Sequence, residues 1–377
     1  MKISPLPHPP PRRGEGRGGG EYGTFSSKKL ISWFQKHQRG LPWRTRRTPY
    51  STWISEMMLQ QTQVQQVEPY YRRFINRFPS IKSLAKASTQ DILKAWEGMG
   101  YYRRAGNLHQ TAKLIASRFK GKIPADFQEL IKLPGIGRST AGAILSLAYG
   151  QPFPVLDGNI RRVLIRFFYI TRDLQKTDTI NQLWNISQYI IPRRNAGLFN
   201  EALMELGALI CRPKNPDCTL CPLKKGCQGF RSGRPASLPV KRPRKRIPHF
   251  DVTAAVIQNQ KKILITQRPE KGLLGGLWEF PGGKKEPQES LEQCLKREIK
   301  EELNIEIKVG ERFIQVRHAY THFRITLHCF FCRKLKGRIT PIGVKDYHWA
   351  YPDELDRFPF PRADQKVIEY LKKPIET

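Results

Sequence analysis

The chain has 377 residues, and 66 Lys and Arg against 32 Asp and Glu leave a formal charge of +34. That length suffices for two domains with separate cores, and so large a charge disfavours a compact state without a polyanion, so nucleic acid is the first partner to consider. No apolar run approaches the ~18–20 residues of a membrane span, and Met1–Gly23 lacks the apolar centre of a secretory signal. The protein is therefore expected away from membranes, in the cytoplasm; association with a bacterial nucleoid and a monomeric state are separate expectations.

Residues 1–24, rich in Pro, Gly and Arg, read as a disordered extension. From Phe25 to Cys227 the pattern is helical almost throughout. The spacing predicts a short helix from Asp126 through Leu133, a break at Pro134-Gly135-Ile136-Gly137, and a second helix from Arg138 to about Tyr149. Asp157 precedes a helix over Asn159–Tyr169. Leu198–Cys211 forms another, with Leu203, Leu206 and Ile210 on one face. Residues 228–248 read as a basic connector, because Lys241-Arg242-Pro243-Arg244-Lys245-Arg246 is too charged and proline-broken to pack. Beyond it come strands over Asp251–Gln258, Lys262–Gln267 and Phe323–Arg333, a helix over Glu289–Leu303, and a closing helix over Arg362–Lys373. The expected fold class is multi-domain: an all-α domain over 25–227, then an α+β domain over 249–373, with no internal repeat relating them.

Four of the seven cysteines crowd into one stretch, Cys211, Cys218, Cys221 and Cys227, spaced C-x6-C-x2-C-x5-C. Reduced thiols at such spacing suit metal rather than disulfides. Zinc sites usually pair two short CxxC elements, and this loop has one. Arg212, Lys214, Lys224 and Lys225 lie within it. Cys329 and Cys332 also have CxxC spacing, but in a strand those positions face opposite sides, so they read as packing residues.

Gly135 and Gly137 let backbone approach a phosphate, and the N–H groups opening the next helix point outward. Such contacts bind DNA backbone without reading sequence. Glu56 sits between Ile54 and Met57-Met58, apolar company that raises a carboxyl pKa. Asp157 opens a helix, where its plain structural role is an N-cap. Two carboxylates with separated pKa values can also work as an acid and a cation stabiliser, as in glycoside hydrolysis.

Helix, Leu133-Pro134-Gly135-Ile136-Gly137, helix, then Leu156-Asp157-Gly158-Asn159 and the cysteine loop resembles the helix-hairpin-helix DNA glycosylase superfamily with an iron–sulfur loop. Leu41-Pro42-Trp43-Arg44, Ser55-Glu56-Met57-Met58-Leu59-Gln60-Gln61-Thr62-Gln63 and Gly100-Tyr101-Tyr102 narrow the resemblance to the MutY family of adenine glycosylases. The resemblance implies base-excision repair of adenine opposite 8-oxoguanine or guanine in double-stranded DNA. It implies that Glu56 protonates adenine N7, that Asp157 stays ionised, and that the four cysteines hold a [4Fe-4S] cluster. It assigns Gln60, Gln61 and Tyr101 to probing the duplex and Arg44 to the base pocket, with Gly135, Gly137, Ser139 and Asn159 among the DNA- or base-contacting positions. Bifunctional relatives carry a nucleophilic lysine where this chain has Ser139. Without an amine there is no Schiff base, so a monofunctional enzyme leaving an abasic site is expected. The alternative substrate on this scaffold is a thymine or other pyrimidine mismatch. The connector is a candidate contact for a repair partner.

In the second half, Gly283-x5-Glu289-x7-Arg297-Glu298-Ile299-x-Glu301-Glu302 fits a Nudix box and resembles pyrophosphohydrolases such as MutT. The spacing puts Glu298, Glu301 and Glu302 on one helix face, where carboxylates would hold Mg2+. Asn304 stands where the box has glycine, and Asn is the next best residue for a left-handed helix end. Arg317-His318-Ala319-Tyr320-Thr321-His322 resembles the family loop that reads 8-oxoguanine, with Tyr320, Thr321 and His322 as its contact set. Phe358-Pro359-Phe360-Pro361-Arg362-Ala363-Asp364 resembles the MutT segment that contacts an oxidised base, with Asp364 at the reading position. Lesion recognition is the expected role of this half, and hydrolysis of an oxidised nucleoside triphosphate is the alternative.

Overall fold

The computed structural model of the protein describes residues 25–240 and 247–372. The expected extension over 1–24 and the basic run Lys241–Arg246 lie outside the described residues.

The helices in chain order are α1 (Ser27–His37), α2 (Pro42–Thr45), α3 (Pro49–Leu59), α4 (Val64–Arg77), α5 (Ile81–Lys86), α6 (Thr89–Trp96), α7 (Arg103–Arg118), α8 (Phe127–Ile131), α9 (Arg138–Ala143), α10 (Gly158–Phe167), α11 (Thr177–Ile190), α12 (Ala196–Leu209) and α13 (Gln228–Arg231). After these come β1 (His249–Asn259), β2 (Lys262–Gln267), β3 (Trp278–Glu279), α14 (Leu291–Leu303), β4 (Glu306–Ala319), β5 (Arg324–Lys336), β6 (Asp346–Ala350) and α15 (Arg362–Leu371). Among the described residues, contacts divide the chain into two compact units, one of residues 25–60 and 122–240, the other of 61–121 and 247–372. The helices α4–α7 thus associate with the β-containing half.

In the first unit, α1, α10 and α12 bury one face each: Leu30, Trp33 and Phe34 join Ile160, Val163, Leu164, Phe167, Phe199, Leu203 and Leu206. Helix starts follow local chemistry. Thr48 and Ser51 form a reciprocal capping box before α3, and Asp126 caps α8 by accepting from Glu129 N at 2.9 Å. The helix predicted over Arg138–Tyr149 is α9 followed by a single π-turn, Ile144–Ala148. Here the chain is crowded: a Cβ on Gly142 would lie 2.2 Å from the Pro154 carbonyl oxygen, so only glycine admits the neighbouring segment. Residues 228–240, expected as connector, begin with α13 and a buried Leu238. Arg166 Nε donates to the Leu238 carbonyl at 2.9 Å, a contact across 72 positions that local pattern does not carry.

In the second unit, α4–α7 bury Val67, Tyr71, Phe74, Leu84, Trp96, Leu108 and Ile115, with Phe74 edge-on to Trp96 at 5.9 Å. The sheet runs β3-β2-β1-β5-β4, with β6 also paired to β2. β1 and β5 are parallel, and β1's other side is lined by Pro281–Lys285. One sheet face packs on α14 through Ala255, Ile257, Leu295, Ile299 and Leu303, and the opposite face on α15 through Val256, Ile265, Leu327, Val367 and Ile368. Cys329 and Cys332 fall on opposite faces. β4 and β6 were not legible, since β4 is interrupted by register shifts around Val309, Arg312 and Ile314 and is half-exposed, which blurs the alternation. Asn304 takes the left-handed conformation at φ 54°. Helix α6 is pinned to the β-rich part of its unit. Gln90 donates to Gly276 O and accepts from Trp278 Nε1, both at 3.0 Å. Glu97 accepts from Phe360 N at 2.7 Å, and Lys94 donates to Phe358 O at 3.0 Å.

Candidate active site

In the first unit, Glu56 comes from the last turn of α3 and Asp157 from the N-cap of α10. Glu56 is half-buried, and its pKa is pushed up to about 8, first by burial and then by the negative charges of Asp157 and Glu201; Arg47 opposes this. The carboxyl therefore holds its proton at neutral pH. Asp157 does cap its helix, with Oδ1 accepting from Ile160 N at 2.7 Å. Burial raises its pKa too, while the N–H groups of Ile160 and Asn159 and the cations Arg162 and Arg161 pull it back. Burial is the first cause of both shifts, and the difference is that Asp157 alone sits in a nest of N–H donors at a helix N-terminus.

Asp157 is held from beneath. Buried Asn200 donates to Phe153 O at 2.9 Å and accepts from Val155 N at 3.3 Å. Ser139 Oγ accepts from Leu156 N at 3.2 Å, tying the hairpin to the segment that ends at Asp157. Asn159 accepts from Arg162 at 2.8 Å. Gly135 turns the hairpin at φ 79°, a region that favours glycine, and Gly137 opens α9 with free space beside it. Gln60, placed by resemblance among the duplex probes, points back to the hairpin, donating to Thr140 Oγ1 at 3.1 Å and Gly135 O at 3.3 Å.

Arg44 is engaged by protein groups. It donates to Glu201 at 2.9 Å, to Glu205 at 3.1 Å and to Arg39 O at 2.9 Å, over the Phe34 ring. Arg47 grips Glu201 through two bonds of 2.9 and 2.7 Å, and Arg39 grips Glu205 through Nε and Nη2 at 2.9 Å each. The arginines hold the Glu205 pKa down near 2 against its burial. This ladder of buried ions lies beside Glu56, and Arg39, Arg47, Glu201 and Glu205 were missed from sequence. Their only local signal was an acidic pair, i and i+4, inside the apolar helix α12.

The four loop thiols are free and half-exposed. Burial raises the pKa of Cys221 to about 12, and the charges of Cys211, Cys218 and Cys227 add to it. Burial and the neighbouring thiols raise Cys218 and Cys227 as well. Arg166 Nη1 donates to Cys211 Sγ at 3.4 Å. Among the described residues, no three Cys, His, Asp or Glu side chains converge closely enough to share one ion. Four thiols in one loop are a soft donor set of the kind that suits a soft metal centre.

In the second unit, Tyr101 is 37 % exposed and left-handed at φ 53°. Its hydroxyl meets Thr321 Oγ1 at 2.5 Å, joining two positions that resemblance had assigned separately. Gln61 is exposed and also left-handed, at φ 59°. Tyr320 stacks on Phe323 at 4.7 Å, and Thr321 and His322 are exposed at the β4–β5 turn. On α14, Arg297 bonds Glu289, Glu298 and Glu301. Glu302 accepts from Gly282 N at 3.2 Å, and its pKa is pushed up to about 8 by burial, then by Glu279 and Glu298. Asp364 is buried, accepts from Phe280 N at 3.3 Å, and is likewise raised to about 8 by burial and Glu279. Glu279, bonded to Arg268 at 2.6 and 2.9 Å, is the acidic partner that sequence reasoning did not place.

Residues 54–188 match the HhH-GPD superfamily of base excision DNA repair proteins, and residues 252–370 match the NUDIX domain. A solved thermostable thymine-DNA glycosylase is 27 % identical with a TM-score of 0.51, covering 55 % of this chain and 95 % of its own. The human adenine DNA glycosylase is 34 % identical over 80 % of this chain and 65 % of its own length. The adenine DNA glycosylase of Buchnera aphidicola from Schizaphis graminum is 40 % identical over 355 residues, 92 % of this chain and 98 % of the relative. On that identity and coverage, with a helical glycosylase part followed by a Nudix-like α/β part, the chain belongs to the adenine DNA glycosylase family.

Proposed function

We propose that the chain removes adenine from duplex DNA where it is paired with 8-oxoguanine or guanine, by hydrolysis and without strand cleavage. The observation that carries this reading is the pair of half-buried carboxyls, one protonated at neutral pH and the other at a helix N-terminus among donors and arginines. Glu56 gives its proton to adenine N7 as the C1′–N9 bond breaks. Asp157 faces the positive charge that develops on the sugar, and water then adds to C1′. Ser139 offers a hydroxyl rather than an amine, so no covalent enzyme–sugar step follows. The loop 320–322 reads the opposite base. Cys211, Cys218, Cys221 and Cys227 would hold a [4Fe-4S] cluster, which organises the basic loop against DNA phosphates.

One observation favours recognition over nucleotide hydrolysis in the Nudix-like part. The backbone of Phe358 and Phe360, in the segment likened to a nucleotide-base contact, is already bonded by Lys94 of α6 and by Glu97 at its C-terminal cap. Adenine release from A:8-oxoG, A:G and T:G duplexes tests the whole reading. Loss of release on Glu56→Gln is expected; release from T:G alone would overturn the substrate.

A further inference from the structure

The turns at 61–62 and 100–101 each carry a non-glycine residue in the left-handed region, Gln61 and Tyr101. Such residues cost of order 1 kcal/mol each and persist where their surroundings hold them. One side chain touches both turns. Arg104, 7 % exposed, sits in the first turn of α7. Its Nη2 donates to Thr62 Oγ1 at 3.0 Å and to Gly100 O at 3.1 Å. Its guanidinium carbon lies 5.1 Å from the Tyr101 ring centre and 5.4 Å from that of Trp96. Trp96 Nε1 donates to the same Gly100 carbonyl at 3.1 Å. Burying a guanidinium is costly, and an apolar side chain would pack on Trp96 without that cost. What only arginine supplies is a planar cation whose terminal Nη2 bonds both acceptors while its face stacks on a ring.

We propose that Arg104 is a positioning residue for base extrusion: its guanidinium locks the turns bearing Gln61 and Tyr101 into one preset unit, so that both side chains enter the base stack together. This rests on the reading of Gln61 and Tyr101 as duplex probes. Both are exposed, and both are held in conformations that a free chain would rarely visit. A wedge already in position spends none of the binding energy on its own ordering.

The test is single-turnover adenine release by the full chain on two duplexes. In one the adenine is paired with 8-oxoguanine. In the other it lies opposite an abasic site, so no partner base holds it in the stack. Arg104→Met is expected to slow release from the paired duplex on the order of 30- to 100-fold and to stay within about threefold of the wild-type chain on the abasic duplex. Arg104→Lys keeps the charge and loses the planar face against the Tyr101 ring, so it is expected to track Arg104→Met. Thr62→Val removes one tether and keeps the fold accessible should Arg104→Met fail to fold; a paired-only loss of roughly fivefold is expected. Equal losses on both duplexes, or full rescue by lysine, overturn the proposal. If Gln61→Ala and Tyr101→Ala match the wild-type chain on the paired duplex, the probing reading falls and this inference with it. If the wild-type chain releases no adenine from either duplex, the functional reading itself is wrong.

Discussion

Replacing Glu56 by glutamine should stabilise the protein while abolishing its chemistry. The native carboxyl ionises at about 8 rather than 4.5, because burial and the charges of Asp157 and Glu201 resist ionisation more than Arg47 assists it. In the unfolded chain Glu56 is already ionised above about 4.5. Between those values unfolding releases a proton, so stability falls as pH rises across that window and levels off above about 8. At ~1.4 kcal/mol for each tenfold, the gap corresponds to roughly 5 kcal/mol. The side chain is half-buried, and solvent screening reduces this to about 1–3 kcal/mol. Glutamine has nearly the same shape and no charge to desolvate. Glu56→Gln should therefore melt with the wild-type chain near pH 5 and about 3–10 °C above it at pH 9. Thermal unfolding of both proteins from pH 5 to 9.5, followed by circular dichroism, is the measurement. A difference that does not change with pH would refute the argument. Adenine release by the wild-type chain should fall as pH rises through about 8, where the proposed acid loses its proton.

Glu205 is almost fully buried and held by Arg39 and Arg44, so Glu205→Gln should cost about 3–5 kcal/mol in urea unfolding at pH 7. Its pKa is depressed, so that contribution is present above about 4.5 and is lost as pH falls towards about 2. Borohydride should trap no covalent complex with DNA, whereas Ser139→Lys, which places an amine beside Leu156, should give a trappable product on gels. Cys221→Ala should remove the broad visible absorption expected of a four-iron cluster and weaken duplex binding in gel-shift assays. Log affinity for duplex should fall linearly with log salt, as the charge of +34 implies. A flat salt response would argue against backbone contacts as the main source of affinity.

Local grammar was enough to place the hairpin, the start of α10 at Asp157, the cysteine loop, helix α14 and its left-handed end at Asn304. Each depends on residues within a few positions of one another: caps, turn glycines, 3.6-residue spacing. The strand β4 escaped because its pairing is irregular and its alternation broken, and α13 escaped because what it packs against, the Arg166 backbone beside Gly229, lies far away in the chain.

The sequence by itself determined where the carboxyls, the clustered thiols and the turn glycines fall along the chain, because chemical type and short spacing are written there. The tertiary structure decided what each is able to do. Partners 157 and 161 positions away, Glu201 and Glu205, engage Arg44 in an ion ladder, and Gln60 turns to a hairpin 75 positions on. Thr321 reaches Tyr101 across 220 positions, and Arg104 ties together two turns that no periodicity relates. Charges and hydrogen bonds act over a few ångströms of space. The pKa of Glu56 and the posture of the turns at Gln61 and Tyr101 therefore follow from folded proximity, which the order of residues does not display.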